Sequence, residues 1–111
     1  MNFEEVQKRA RAFRDEREWA QFHNPKDVAI ALSVEASELL DTFRWTGKDV
    51  SVGGHLKATA EELADVAIYC FYLADALNIN LAEEICLKLE QNAKKYPVEK
   101  AKGNARKYSQ L

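Results

Sequence analysis

An all-α fold, built as a four-helix bundle, is what this sequence predicts, and three observations predict it. Only 4 Gly and 2 Pro punctuate the 111 residues, too few for a fold rich in turns or sheet. Hydrophobic residues make up 47% of the chain, and they recur at helical spacing instead of alternating. The two prolines, Pro25 and Pro97, stand at breaks in that periodicity, where helices start and stop. The length suits one domain.

Phe3, Val6, Ala10, Phe13 and Ala20 share a helical period and predict a first helix from about Asn2 to Trp19. The run Phe22-His23-Asn24-Pro25 interrupts it. Asn24 suits an N-cap and Pro25 the first helical position, so a second helix starts there. It continues to about Trp45 and stops at Thr46-Gly47, where glycine can take the left-handed conformation. Residues 46–55, with Gly47, Gly53 and Gly54, read as a mobile loop. A third helix spans roughly Leu56 to Leu77 and ends at Asn78. Asn80 caps a fourth, with Glu83 at its third position, and Pro97 closes it near Tyr96. The sequence thus divides into a helical domain, residues 1–97, and a basic tail, residues 98–111, in which Lys100, Lys102, Arg106 and Lys107 face a single acid, Glu99.

Charge narrows the classes of function. Charged residues are 31% of the chain, 16 basic against 18 acidic, for a net charge of -2. A bulk electrostatic grip on a nucleic-acid polymer or an anionic membrane is excluded on that balance. The opening Met1-Asn2-Phe3-Glu4-Glu5 has neither the cationic leader nor the apolar core of a secretory signal. The longest uncharged apolar run, Val66 to Ala74, is less than half of the roughly 20 residues of a bilayer span. Cys70 and Cys86 lie inside apolar helical patterns without metal-ligand spacing, as expected of buried, reduced thiols in a cytoplasmic protein.

Acidic residues stand where the helices should be apolar. Each helical residue advances about 100°, so Val28, Leu32, Leu39 and Phe43 form one apolar side of the second helix, and Ile30, Val34 and Trp45 another. Glu35 and Glu38, three apart, point along the narrow stripe between them. The third helix repeats the pattern with Glu62 and Asp65, followed on the same face by Tyr69. Glu61 and Asp75 suit solvated positions better. No basic residue stands four away from Glu35, Glu38 or Asp65, so intrahelical ion pairs do not account for them. One such pair is ordinarily a solvated face. Two, on consecutive core helices, would repel unless protons or cations joined them. Four carboxylates without sulfur or imidazole suit Mg²⁺ or Mn²⁺, and the absence of Glu-x-x-His pairs argues against a di-iron bundle. Carboxylate-bound Mg²⁺ commonly holds a polyphosphate, which points to a nucleotide-like substrate.

Glu35-x-x-Glu38, a spacer and Glu62-x-x-Asp65 resemble the signature of the all-α nucleoside triphosphate pyrophosphohydrolases of the MazG superfamily. Glu18-Trp19-Ala20-Gln21-Phe22-His23-Asn24-Pro25, Glu38-Leu39-Leu40 leading to Phe43-Arg44-Trp45, and Lys95-Tyr96-Pro97-Val98 are similar to the dCTP pyrophosphatase branch over nearly the whole chain. The resemblance implies hydrolysis of a deoxynucleoside triphosphate to its monophosphate and pyrophosphate, in nucleotide-pool house-cleaning. It implies Mg²⁺ on Glu35, Glu38, Glu62 and Asp65. For in-line attack by water, one of the glutamates serves as general base, Glu38 preferred, with Glu35 as the other catalytic acid. Trp19, His23 and Trp45 match positions that enclose the base; Tyr69, Asn92, Lys95 and Tyr96 match positions near the sugar and phosphates. Members assemble as dimers or as tetramers built from dimers, so a homo-oligomer is implied, with a tetramer as the first expectation. The linker between the acidic pairs is shorter than in the animal enzymes, and Ala10 stands where some relatives place a polar side chain.

Plainer roles stand beside these. Trp19 and Trp45 offer flat faces for stacking, or pack in a core or interface. His23 can be a turn residue. The tail lysines are either solvated or close over a triphosphate. The whole chain can also be a helical interaction module without chemistry, or the same enzyme acting on dUTP or a modified nucleotide.

Overall fold

The structure, a computed structural model, describes every residue except position 53, so Gly53 of the expected loop lies outside the described residues. Five helices follow in order: α1 (Phe3–Glu16), α2 (Pro25–Asp41), α3 (Leu56–Ala76), α4 (Leu81–Lys95) and α5 (Val98–Ala101). Single 3₁₀ turns occupy Trp19–Phe22 and Tyr108–Gln110, and no strand occurs among the described residues. The chain divides into two compact units, Met1–Ile79 and Asn80–Leu111.

In the first unit, local chemistry places each helix start. Asn2 accepts from the Glu5 amide at 2.9 Å while the Glu5 carboxylate accepts from the Asn2 amide at 3.0 Å, a capping box that satisfies two otherwise orphan donors. Asn24 accepts from the Asp27 amide at 2.9 Å, with Pro25 opening α2. At the end of α3 the chain turns back on Asn78, whose φ is 55°. The Ile79 amide reaches the Ala74 carbonyl at 3.0 Å and the Asn78 amide reaches Asp75 at 3.1 Å, the two bonds of a Schellman ending.

Two helices end earlier than their apolar spacing predicts. α1 stops at Glu16 and not at Trp19, because Glu18 takes a left-handed backbone at φ 56°. The following 3₁₀ turn continues the spacing of Trp19 and Phe22 without continuing the helix axis. α2 stops at Asp41 and not at Trp45. The amides of Phe43 and Arg44 bond three residues back, and the hydroxyls of Thr42 and Thr46 take the Leu39 and Phe43 carbonyls. Gly47 adopts the left-handed conformation expected of it, φ 61°, beyond this tightened turn.

α2 and α3 form the main packed pair. Thr59 donates to Thr42 at 2.9 Å, while Glu35 lies beside Glu62 and Asp65, so the two helices run antiparallel. α1 crosses the C-terminal half of α3. The Phe3 ring meets Phe71 edge-on at 5.3 Å, Tyr72 Oη donates to the Ala10 carbonyl at 2.8 Å, and Asp75 accepts from Arg11 Nε at 3.0 Å and from an Arg14 guanidinium nitrogen at 2.9 Å. Asp75 is therefore a largely covered ion-pair residue and not the solvated acid its sequence neighbourhood suggests. Val28, Phe71, Tyr72 and Ala74 are the buried apolar residues among the described ones. Cys70 is half-buried and Cys86 exposed; neither is the fully buried thiol expected from its apolar surroundings, and around Cys86 those surroundings, Ile85, Leu87 and Leu89, are themselves open to solvent.

The second unit begins with the expected cap, Asn80 accepting from the Glu83 amide at 3.1 Å. Beyond Pro97 the tail turns through α5 and back onto the end of α4. Tyr108 meets Tyr96 edge-on at 6.0 Å, and Lys95 Nζ stands 4.9 Å from the Tyr108 ring centre. Among the described residues, no helix is long and apolar enough to cross a membrane.

Candidate active site

The antiparallel register of α2 and α3 brings the two acidic pairs face to face. Glu35 from α2 and Glu62 and Asp65 from α3 each offer one carboxylate oxygen within 4.8 Å of the others. Glu35 and Glu62 are half-buried, whereas Glu38 and Asp65 stay exposed, so two of the four acids are drawn from solvent and two form the outer side. Glu38 lies outside the tight trio but acts on both its buried neighbours. Burial first, then the adjacent Glu38, Asp65 and Glu62 carboxylates, raise the Glu35 carboxyl above the ordinary glutamate range. Burial, then Glu38 and Asp65, do the same to Glu62. Like charges at close range and lost hydration act in the same direction.

One oxygen of Glu35 and one of Glu62 are buried without a hydrogen-bond partner. Unpartnered buried oxygens are costly, and no ion pair to either residue occurs among the described residues. An all-oxygen, all-carboxylate donor set of this kind fits a hard divalent cation.

Glu35 and Asp65 also border a cavity of about 500 Å³ within the first unit, the size class of small-molecule sites. α1 contributes Val6, Arg9, Ala10 and Phe13 to one wall, and α3 contributes Ile68, Tyr69 and Tyr72 to another. Trp19 and His23 close it from the segment between α1 and α2. The aromatic rings are mutually braced: Phe13 and Trp19 meet edge-on at 5.8 Å, Tyr69 and Tyr72 at 5.9 Å, and His23 lies tilted against Tyr72 at 5.2 Å. The Arg17 guanidinium sits 3.6 Å over the Phe13 ring. Burial and then the Arg14 charge lower the His23 pKa, and its Nδ1 is buried without a partner. His23 therefore resists protonation more than a free imidazole and keeps one unused polar atom.

Of the residues singled out from sequence, Glu35, Asp65, Trp19, His23 and Tyr69 line this cavity, and Glu62 completes the acidic trio beside it. Trp45 does not line it. Trp45 is 84% exposed, with the Arg44 guanidinium 4.9 Å from its ring centre, and it lies in the turn beyond the end of α2 at Asp41. Asn92, Lys95 and Tyr96 belong to the second unit, where Asn92 is half-buried and the other two carry the Tyr108 contacts. Arg9, Phe13 and Tyr72 were not foreseen as cavity residues. Phe13 belongs to the apolar period of the first helix and Tyr72 falls within the uncharged run from Val66 to Ala74, and a signal for Arg9 existed: it occupies the same α1 stripe as Val6, Ala10 and Phe13.

A family model described as MazG-like matches residues 30–111. The chain is 33% identical to bovine (Bos taurus) dCTP pyrophosphatase 1 over 97% of its own length and 67% of the relative's. It is 34% identical to the human (Homo sapiens) dCTP pyrophosphatase 1 over 97% and 66%, so it spans about two thirds of these relatives. A crystal structure of a pyrophosphatase from Archaeoglobus fulgidus superposes with a TM-score of 0.70 at 38% identity, covering 85% of this chain and 91% of that one.

Proposed function

The chain belongs to the MazG-like family, and from that premise we propose that it is a nucleoside triphosphate diphosphatase. Its substrate is a deoxynucleoside triphosphate, dCTP or a close relative, which it cleaves to the monophosphate and pyrophosphate. The observation that carries this reading is the juxtaposition of two buried, unpartnered carboxylate oxygens with an aromatic cavity of about 500 Å³. One end of such a site suits a metal-bound triphosphate and the other a flat base. The names of the similar pyrophosphatases supply the reaction class.

Glu35, Glu38, Glu62 and Asp65 would hold a divalent cation, Mg²⁺ with Mn²⁺ as a substitute, which when bound supplies positive charge to the phosphate oxygens. Glu35, Glu62 and Asp65 fit that role because their carboxylate oxygens converge within 4.8 Å, and Glu38, outside that trio, joins them by the resemblance. Glu38 is the general base: it is exposed, so water reaches it, and it takes a proton as the water oxygen bonds to the α-phosphorus. The bond from the α-phosphorus to the α–β bridging oxygen breaks, and pyrophosphate leaves. Glu35 supports Glu38 as its catalytic partner. Trp19, His23 and Tyr69 enclose the nucleoside, while Trp45, Asn92, Lys95 and Tyr96 are assigned to base, sugar and phosphates by the resemblance alone. Residues 1–97 form the enzymatic domain and 98–111 a basic tail, in a cytoplasmic homo-oligomer, a tetramer built from dimers.

The test is a product assay over the four dNTPs and four NTPs with Mg²⁺, with Mn²⁺ and with EDTA. Pyrophosphate and dCMP should appear from dCTP and stop with EDTA. Release of orthophosphate alone, or equal turnover in EDTA, would overturn the reading.

A further inference from the structure

The cavity-facing stripe of α1 runs Val6, Arg9, Ala10, Phe13, spaced three, four and seven apart. Three of these are apolar, as a helix face turned to a cavity requires. Arg9 is the exception. Among the described residues it makes no ion pair. The acid one turn before it, Glu5, is engaged in the capping box, and the residue one turn after is Phe13. Its one hydrogen-bond-like contact is to the Met1 sulfur at 4.0 Å, a weak acceptor. The other arginines of α1 are employed: Arg11 and Arg14 hold Asp75.

The placement of Arg9 decides what it can meet. The carboxylates come from α2 and α3, so a triphosphate anchored on them lies at that wall. Arg9 comes from α1, on the wall formed with Phe13, and Trp19 closes the cavity beside them. The part of a nucleotide that reaches α1 is the base. A guanidinium presents parallel N–H donors in a fixed fork and no acceptor. It therefore recognises a base edge with two adjacent acceptors. Cytosine offers such a pair, O2 and N3; in uracil and thymine N3 carries a proton and opposes the donor.

We infer that Arg9 is a specificity-determining residue, reading the O2/N3 edge of cytosine through its guanidinium fork. This rests on the proposed diphosphatase activity and names what would select its base. A site that hydrogen-bonds a base discriminates more strongly than an apolar pocket, because the wrong base leaves donors unpaired.

The experiment is steady-state kinetics of the full chain with Mg²⁺ on dCTP, dUTP and dTTP, comparing wild type with Arg9→Met and Arg9→Lys. Methionine keeps an unbranched stem against the cavity, and thermal melts check that both variants fold. Arg9→Met should raise the KM for dCTP about 10- to 100-fold, the range of one bidentate base contact, with kcat altered far less. The dCTP-over-dUTP ratio of kcat/KM should fall by the same factor, and Arg9→Lys should recover only a small part, since it keeps the charge and loses the fork. An equal loss on all three triphosphates would overturn the inference by placing Arg9 on the phosphates, with the activity intact. An unchanged ratio, or a wild type without preference for dCTP, would overturn it as well. A wild type inert on every triphosphate would instead remove the activity on which it rests.

Discussion

Glu35 and Glu62 sit where their own charge is unwelcome, and this has two separable consequences. Their carboxyls are raised above the ordinary value of 4.5 by burial and by the neighbouring acids. The folded chain thus binds these protons more tightly than the unfolded chain. The favourable protonated contribution is fully present below the unfolded value and is lost as pH rises through the folded one. The metal-free protein should accordingly lose stability from this cluster as pH rises above the ordinary 4.5, and the gain in Tm on adding Mg²⁺ should grow in the same direction. Differential scanning fluorimetry with Mg²⁺ or EDTA reads both. Glu62→Gln should raise the Tm in EDTA and abolish the response to Mg²⁺; a variant melting lower in EDTA and still responding to Mg²⁺ would contradict this account. The role proposed for Glu38, as general base, is separate. Glu38→Gln should cut kcat by about 10²-fold or more with the fold retained and, because it removes a charge that crowds Glu35 and Glu62, a Tm in EDTA no lower than that of the wild type; near-normal turnover would remove Glu38 as base.

At the scale of the helices, the tie between α1 and α3 is polar, and that explains what sequence could and could not reveal. Arg11 and Arg14 converge on Asp75, and Tyr72 adds a bond to the Ala10 carbonyl. Asp75→Ala strands Arg14, whose side chain is only 12% exposed, with Asp15 as its remaining partner. The expected cost is about 1–3 kcal/mol, visible as a lower denaturant midpoint with little change in slope. A loss below about 0.5 kcal/mol would class the pair with ordinary surface bridges. These partners are more than sixty positions apart in the chain, so nothing near Asp75 in sequence announces them. Features set by neighbours were legible: the caps at Asn24 and Asn80, the left-handed Gly47 and the acidic pairs three apart. The helix ends at Glu16 and Asp41 were not, since 3₁₀ turns carry the apolar spacing of Trp19 and Phe43 onward past the last α-helical bond. The cavity was half legible. Its acids and Trp19 stood out by type, but the convergence of Arg9, Phe13 and Tyr72 depends on how α1 crosses α3.

For the molecule as a whole, the buried set of Val28, Phe71, Tyr72 and Ala74 is small beside what remains in water. On α2, Ile30 and Val34 are about half exposed and Leu40 is 71% exposed, while Leu56 and Leu63 of α3 stand at 66% and 56%. The stripe of Ile30 and Val34 is the apolar side of α2 opposite Val28, left without a partner inside its own unit. Apolar surface of this extent is characteristic of an interface between copies. Light scattering coupled to size-exclusion should return a multiple of the chain mass, four as the first expectation. Ile30→Glu with Val34→Glu should shift it toward smaller species and lower the Tm, and a fully active monomer would contradict the assembly.

The unpartnered oxygens of Glu35 and Glu62 also bear on how the sequence can drift. On the proposed metal role, any exchange that removes their charge relieves the empty protein and disables the loaded one, so heritability of these two acids depends on the selection applied. Lineages held only to heat tolerance would lose them early, as positions that cost the fold something. Lineages held to turnover would keep them and gather compensating substitutions elsewhere. A glutamine at position 62 in a divergent sequence would then mark a descendant that kept the helices and gave up the chemistry.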